Sequence, residues 1–364
     1  MSFHGSYRHE DVEFLLKPIP MTLIESTLDK ERLIQSGARH YSEMLSPEKL
    51  PSDRYRQLFS EAHELNRDRM ARDCLVLAML IREQVGEQPT LVSLARAGTP
   101  VGAILGHLLR HLTGNAIPHY SVSIIRDRGI DANALDTILA RGARPESIVF
   151  IDGWTGKGVI TAELTKAVAE YNRDRDTCIS PDLYVLCDLA GKAHCAATVE
   201  DYLIPSSILN STISGLVSRS ILNEAIGRLD YHGCVVFSEF ASQDLSVWFV
   251  DEIVRIATRM LAKQANPLRG DLVDKIAQSQ KSDCFIAEEM SRHGITDRNL
   301  IKPGIGEATR VLLRRLPERL IIRDRHQQAV QHLIALAQEK DVLIEERPTL
   351  PLNAVSVIRS ASDA

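Results

Sequence analysis

Residues 147–164 read SIVFIDGWTGKGVITAEL. An apolar run, Ile148 to Ile151, ends on one acid, Asp152. Gly153-Trp154-Thr155-Gly156-Lys157-Gly158 follows, and a helical pattern begins at Val159. That succession predicts a strand, a tight turn and a helix start. A glycine-rich turn opening a helix is a cradle for anions, because free N–H groups and the helix dipole both point at the ligand.

The same grammar recurs outward from this stretch. Thr90 to Leu94 reads as a strand, Ala95 to Pro100 as a turn, and Val101 to Leu112 as a helix with Pro100 in its first turn. His119 to Ile125, Asp182 to Asp188 and Cys234 to Ser238 are further strands. Residues 53–87, Ala132 to Arg141 and Ser246 to Leu261 read as helices. Alternation at this spacing predicts an α/β fold: a parallel sheet with helices on both faces. Ligands of such sheets sit beyond the carboxyl ends of the strands. The turns after Leu94 and Ile151 both fall there.

Residues 1–50 show no clear periodicity, and residues 265–296 lose the pattern, which predicts a linker or partly helical connector. A second, smaller α/β pattern follows. It has a strand near Leu300, a helix Ile305 to Arg315, a strand Arg319 to Arg323, a helix Gln327 to Lys340, and strands Val342 to Glu346 and Ala354 to Ile358. The expected division is a domain over 1–264 with an N-terminal extension, a connector over 265–296 and a small domain over 297–364.

The chain has 364 residues, 25% charged and 44% hydrophobic, with a net charge of −5. These are ordinary globular values that give no whole-chain reason to expect nucleic acid. The polar start, MSFHGSYRHEDVEF, predicts no signal peptide, and no apolar run reaches membrane-span length. Six scattered cysteines without a CxxC pair argue against structural zinc and predict reduced thiols in a cytoplasmic protein.

Two familiar cradles do not fit. A Walker A loop would need Gly at 151 and Ser or Thr at 158, where Ile and Gly stand. A dinucleotide fingerprint would need Gly at 161, which is Thr. Strand, acid, turn and T-G-x-G opening a helix instead resembles the phosphoribosyl-pyrophosphate motif of type I phosphoribosyltransferases. The resemblance implies that Thr155, Gly156, Lys157 and Gly158 hold a 5′-phosphate and that Asp152, beside Gly153, grips the ribose hydroxyls. Gly153 stands where the family usually has a second acid. The turn Ala95-Arg96-Ala97-Gly98-Thr99 resembles the pyrophosphate loop of the same enzymes, with Arg96 on the pyrophosphate and Gly98 allowing close backbone approach. Ile125 to Asp131 would be a loop closing over pyrophosphate, through Arg126 or Arg128.

The resemblance extends further. Phe14 to Ile19 and Glu200 to Arg219 are similar to bacterial proteins that join a phosphoribosyltransferase domain to a Pelota-type RNA-binding domain. That family is associated with tellurite-resistance and stress gene clusters, and some members carry a cysteine protease label. The implied activity is phosphoribosyl transfer to an unidentified base-like acceptor, making a nucleoside-like product. The donor would be phosphoribosyl pyrophosphate, or another ribose phosphate, with Mg²⁺ carried by the pyrophosphate rather than by a protein cage. A homodimer is implied as well. Asn210, Ser211, Thr212, Ser214 and Arg219 are the candidate acceptor pocket.

Lys302-Pro303-Gly304-Ile305-Gly306-Glu307-Ala308-Thr309-Arg310 resembles the loop with which Pelota relatives grip kinked RNA. This makes Lys302, Gly304, Gly306, Glu307, Thr309 and Arg310 the candidate RNA contacts. From Asp297 onward, 11 Lys and Arg stand against 9 Asp and Glu, a balance of +2 against −7 for the rest. Two alternatives stand beside the transferase. One is a non-catalytic nucleotide sensor presenting an RNA-binding domain. The other is a cysteine hydrolase using Cys187, Cys195 or Cys234 with His194 or His232.

Overall fold

The computed structural model describes residues 2–24, 26–263 and 274–358. The first part contains β1 (Glu13–Leu15), β2 (Lys17–Pro18), α1 (Thr27–Gln35), α2 (Asp53–Val85), β3 (Thr90–Ala95), α3 (Thr99–Thr113), β4 (His119–Ile125), β5 (Gly129–Ile130) and α4 (Ala132–Ala140). It continues with β6 (Ile148–Thr155), α5 (Val159–Arg175), β7 (Leu183–Asp188), β8 (Cys195–Thr198), β9 (Gly233–Cys234) and α6 (Ser246–Lys263). The C-terminal part contains α7 (Lys275–Arg292), β10 (Ile301–Pro303), α8 (Ile305–Arg314), β11 (Pro317–Ile322), α9 (Gln331–Glu339), β12 (Leu343–Glu346) and β13 (Ala354–Ile358).

Strands β1, β4, β3, β6, β7 and β8 form the central sheet in that order, all parallel, with β5 antiparallel to β4. Side chains along a strand alternate between its faces. On β6, Val149 and Ile151 enter one apolar cluster with α2, α3 and α6, while Ile148 and Phe150 enter another with α4 and α5. Both faces are therefore covered. That is why these strands are continuous apolar runs rather than alternating ones.

The chain leaves β3 for one neighbour, β4, and returns on the other side as β6. Helix α3 packs on the first face and α5 on the second. The connections after β3 and β6 thus diverge, and a crevice opens at the carboxyl ends of two hydrogen-bonded strands.

The C-terminal sheet runs β10-β13-β11-β12, with β11–β12 its parallel pair. Helices α8 and α9 cover one face; α7 packs on the other through Phe285 and Ile286 against Ile301, Ile321 and Val355. The linker or partly helical connector expected over 265–296 contains α7, which packs on the C-terminal sheet through Phe285 and Ile286. Residues 264–273 lie outside the described residues. The strand expected over Cys234 to Ser238 is only Gly233–Cys234, paired with Lys17–Pro18, because the chain turns into a 3₁₀ helix at Ser238. The short edge strands β1 and β8 have no counterpart in the sequence reading, since three or four residues carry too little periodicity. Among the described residues no helix is long and apolar enough to cross a membrane.

Gly98 tests the crevice directly. A Cβ there would lie 2.4 Å from the Ile151 carbonyl oxygen and 3.0 Å from Leu94 N, both backbone atoms that cannot swing aside. Gly98→Ala is expected to cost about 1–3 kcal/mol, the usual cost of overpacking, measured as a lower urea midpoint with an unchanged slope.

Candidate functional site

The two turns singled out in the sequence meet in this crevice. Ala97 and Gly98 run against the end of β6, so that a Cβ on Gly153 would be 3.9 Å from the Ala97 carbonyl oxygen. The Ala95–Arg96 peptide is cis. Thr99, buried at the start of α3, shares a 2.7 Å hydrogen bond with the Ser121 hydroxyl on β4.

After β6 the turn closes on itself. The Gly158 N–H donates to the Thr155 hydroxyl at 3.0 Å. Gly158 sits at φ +77°, a left-handed conformation that admits glycine at no steric cost. Asp152 is half-buried and one of its oxygens accepts the Gly153 N–H at 2.8 Å. Burial pushes its carboxyl up to about 6, partly offset by that N–H and by Arg310. The Lys157 ammonium donates to the carbonyls of Arg298 and Ile301, 2.8 Å each. Burial, and then Lys302, push Lys157 down to about 7.

In the turn after β3, Arg96 donates to the Val217 carbonyl at 2.6 Å, to Glu48 at 2.5 Å and to the Asn210 side-chain oxygen at 3.4 Å. Burial works to raise Glu48, but Arg96 and the Ser211 N–H outweigh it and hold the carboxyl below its usual range. Beside this pair Tyr41 lies between two guanidinium groups, Arg219 at 5.3 Å and Arg126 at 5.5 Å from its ring centre. The Tyr41 hydroxyl accepts the Arg126 backbone N–H at 2.8 Å. Arg219 donates to the Met44 carbonyl, while its Nη1 is buried without a hydrogen-bond partner. Burial, with Arg96 adding to it, pushes Arg219 down to about 10. Arg128 stands apart, exposed and paired with Glu43 at 3.0 Å.

The residues expected to form an acceptor pocket, Asn210, Ser211, Thr212, Ser214 and Arg219, lie beside the Glu48–Arg96 pair. Ser211, Thr212 and Ser214 are buried, and Ser214 donates to the Asn210 carbonyl at 2.8 Å. The segment is a wall that orients Glu48 and Arg96, with Arg219 added to the cationic group. Glu48 and Tyr41 were missed in the sequence. They lie in a stretch without periodicity, and a lone acid or tyrosine there carries no signal.

The C-terminal loop 302–310 faces the same crevice. Gly306 lies against the Trp154 indole, the Arg310 guanidinium sits 4.3 Å from its ring centre, and Glu307 and Pro303 pack at Gly156. The Ile305 and Asn353 N–H groups donate to Asp201 at 2.8 and 2.9 Å. Burial pushes that carboxyl up to about 6. Thr309 is buried and donates to the Ile305 carbonyl at 2.7 Å. Gly304 sits at φ +88° against Leu189.

The thiols are differently placed. Cys74, Cys187, Cys195 and Cys234 are buried, and burial pushes all four up, Cys195 to about 11 and Cys234 to about 12. Cys187 donates to the Glu200 carbonyl at 3.1 Å. His194 pairs with Asp182 at 2.8 Å and His232 with Ser123 at 2.7 Å. Among the described residues no thiol is hydrogen-bonded to a histidine.

A family model described as tellurite-like stress resistance cysteine protease StiP matches residues 5–254, and one described as PELOTA RNA binding domain matches residues 280–360. A protein of Acinetobacter baylyi named cysteine protease StiP is 40% identical over 370 residues, covering 98% of this chain and 94% of its own. Among solved structures, a hypothetical protein from Neisseria gonorrhoeae with bound ppGpp is 16% identical, with a TM-score of 0.23 over 33% of this chain and 66% of that one. A hypoxanthine-guanine phosphoribosyltransferase from Bacillus anthracis is 14% identical, with a TM-score of 0.25 over 43% of this chain and 84% of its own. At these scores the two structural likenesses carry no weight in reading the site. The sequence matches do: the chain belongs to the tellurite-like stress resistance family of StiP, and carries a C-terminal Pelota-type domain.

Proposed function

We propose that the crevice between β3 and β6 binds phosphoribosyl pyrophosphate and transfers its phosphoribosyl group to a base-like acceptor. The observation that carries this reading is the layout of charge. Arg96, paired with Glu48, and Arg219 gather on one side, Lys157, Lys302 and Arg310 lie with Asp152 beside the turn after β6, and Arg126 acts on both Tyr41 and Lys302. A donor with a pyrophosphate at C1 and a phosphate at C5 has the matching pattern, two anionic ends about a neutral ring of hydroxyls.

In this reading Thr155 to Gly158 hold the 5′-phosphate and Asp152 accepts from the ribose hydroxyls. Arg96 leaves its bond with Asn210 and meets the pyrophosphate with Arg219, whose unpartnered N–H is a donor in waiting. Bond breaking at C1 releases pyrophosphate with its electron pair, and the acceptor nitrogen supplies the new bond. The protein's part is to position both and to neutralise the leaving group. Mg²⁺ would supply further charge on the pyrophosphate oxygens. The Asp152 oxygen left without a hydrogen-bond partner fits contact with its water shell.

A cysteine nucleophile is less well supported. A reactive thiol needs a lowered pKa or a base in reach, and the buried thiols have neither. Native alkylation is expected to label the exposed Cys178 and Cys284 and to spare Cys187, Cys195 and Cys234, as read by peptide mass spectrometry. Rapid labelling of any of those three would reopen the hydrolase reading.

The donor is tested by calorimetry. Phosphoribosyl pyrophosphate with Mg²⁺ is expected to bind the wild type at micromolar concentration and Asp152→Asn about tenfold more weakly, about 1.4 kcal/mol. Absence of binding to the wild type would end the transferase reading; binding without turnover on any base would leave a sensor.

Lys157 gives the pH dependence its sign. Its amine titrates near 7 when folded against about 10.4 when unfolded, so the folded state holds fewer protons across that window. The contribution of Lys157 to stability therefore grows as pH rises from about 7 to about 10. A phosphate prefers the protonated amine. Its affinity is expected to fall as pH rises through 7, with proton uptake measured from binding enthalpies in buffers of different ionisation heat.

A further inference from the structure

The loop that resembles an RNA grip is turned inward. A Cβ on Gly304 would lie 2.4 Å from Leu189 Cδ1 and 3.1 Å from Asp201 Oδ1, and one on Gly306 would lie 3.2 Å from the Trp154 indole. The Ile305 N–H is spent on Asp201 at 2.8 Å. Loop 302–310 is thereby placed on the turn that the proposed function assigns to a 5′-phosphate. The Lys157 ammonium is held by carbonyls from this same unit.

The charges that meet there do not balance. The groups that face one another are Lys157, Arg126, Lys302, Arg310 and Arg315 against Glu307 and Asp152, with Arg298 and Asp297 beside Lys157. Arg298 is already paired with Asp283 at 2.6 Å. Glu307 serves two cations loosely: Lys302 Nζ is 3.8 Å and Arg310 Nη1 3.6 Å from its oxygens. Both separations exceed a charge-assisted hydrogen bond. The Arg310 Nε–H is buried with no partner. A Cβ on Gly156 would be 3.5 Å from Glu307 Cγ, so this carboxylate stands against the phosphate turn itself. Burial lowers Lys302 below its ordinary value despite Glu307, as for an amine short of negative charge.

We propose that Lys302 and Arg310 are anion-binding residues of the crevice, supplied by the C-terminal domain to the phosphate of a ribose 5-phosphate group. Glu307 is the internal counter-ion that holds both while that phosphate is absent. The proposal rests on the phosphoribosyl reading for the identity of the ligand. On binding, the two cations turn from a long contact with a carboxylate to a direct one with phosphate, and no bond is made or broken.

The test is a titration of ribose 5-phosphate, and of phosphoribosyl pyrophosphate with Mg²⁺, into the full chain. Lys302→Met and Arg310→Met are expected to weaken both ligands tenfold or more. Lys302→Arg, which keeps the charge, should restore most of the loss. Glu307→Gln should bind severalfold more tightly, because it frees the cations. Wild-type affinity in both Lys302→Met and Arg310→Met, with Arg96→Gln weakened, would overturn this inference and leave the transferase reading standing. Tighter binding by Lys302→Met would also overturn it, making the domain a stopper.

Docking is followed separately by Trp154 emission in a Trp248→Phe background, since the chain has two tryptophans. If neither sugar phosphate binds, inorganic phosphate is titrated with the same signal. A saturable change lost in Lys302→Met would support the anion site without the transferase reading. No saturable change would overturn it.

Discussion

The site depends on two neighbouring strands whose chains must part at their carboxyl ends. β3 and β6 are hydrogen-bonded along their length, yet α3 and α5 cover opposite faces of the sheet. The β3 turn can cross the end of β6 only because Gly98 brings no Cβ against the Ile151 carbonyl. From that contact follow the placement of Ala97 beside Gly153, the start of α3 at Thr99 and the opening in which Asp152 stands. Apolar alternation along the strands sets the frame, and one missing side chain sets the crevice.

Much of this was legible in the sequence because it is local. A buried strand, an acid and a T-G-K-G turn announce themselves within a dozen residues, and α/β alternation announces the sheet. The C-terminal elements from Ile301 to Ile358 followed for the same reason. What escaped was contact between distant segments. Glu48 matters because it meets Arg96, and Tyr41 because it lies between Arg219 and Arg126; no periodicity records such meetings. Likewise, α7 was read as a connector because its polar face dominates the composition of 275–292, whereas its burial falls on a few positions such as Phe285, Ile286 and Glu289.

The cysteines illustrate the converse. Sequence placed Cys187 next to Asp188 and two histidines near other thiols, which keeps a hydrolase in view. Geometry separates them. Cys187 is turned to a backbone carbonyl, and each histidine is held by another partner. Proximity along a strand is poor evidence for a catalytic pair, because neighbours point to opposite faces.

The two sequence families that divide this chain do not divide its interior. Val330, Leu333 and Leu336 of the C-terminal part belong to the same apolar cluster as Leu75, Val101 and Leu186 of the first. Arg54 reaches Glu339, and Lys192 reaches Asp283, across the boundary. Separating the parts would bring that shared apolar surface into water. Loss of the small domain would therefore be felt in the sheet, and the chain should melt as one cooperative unit rather than as two beads on a string.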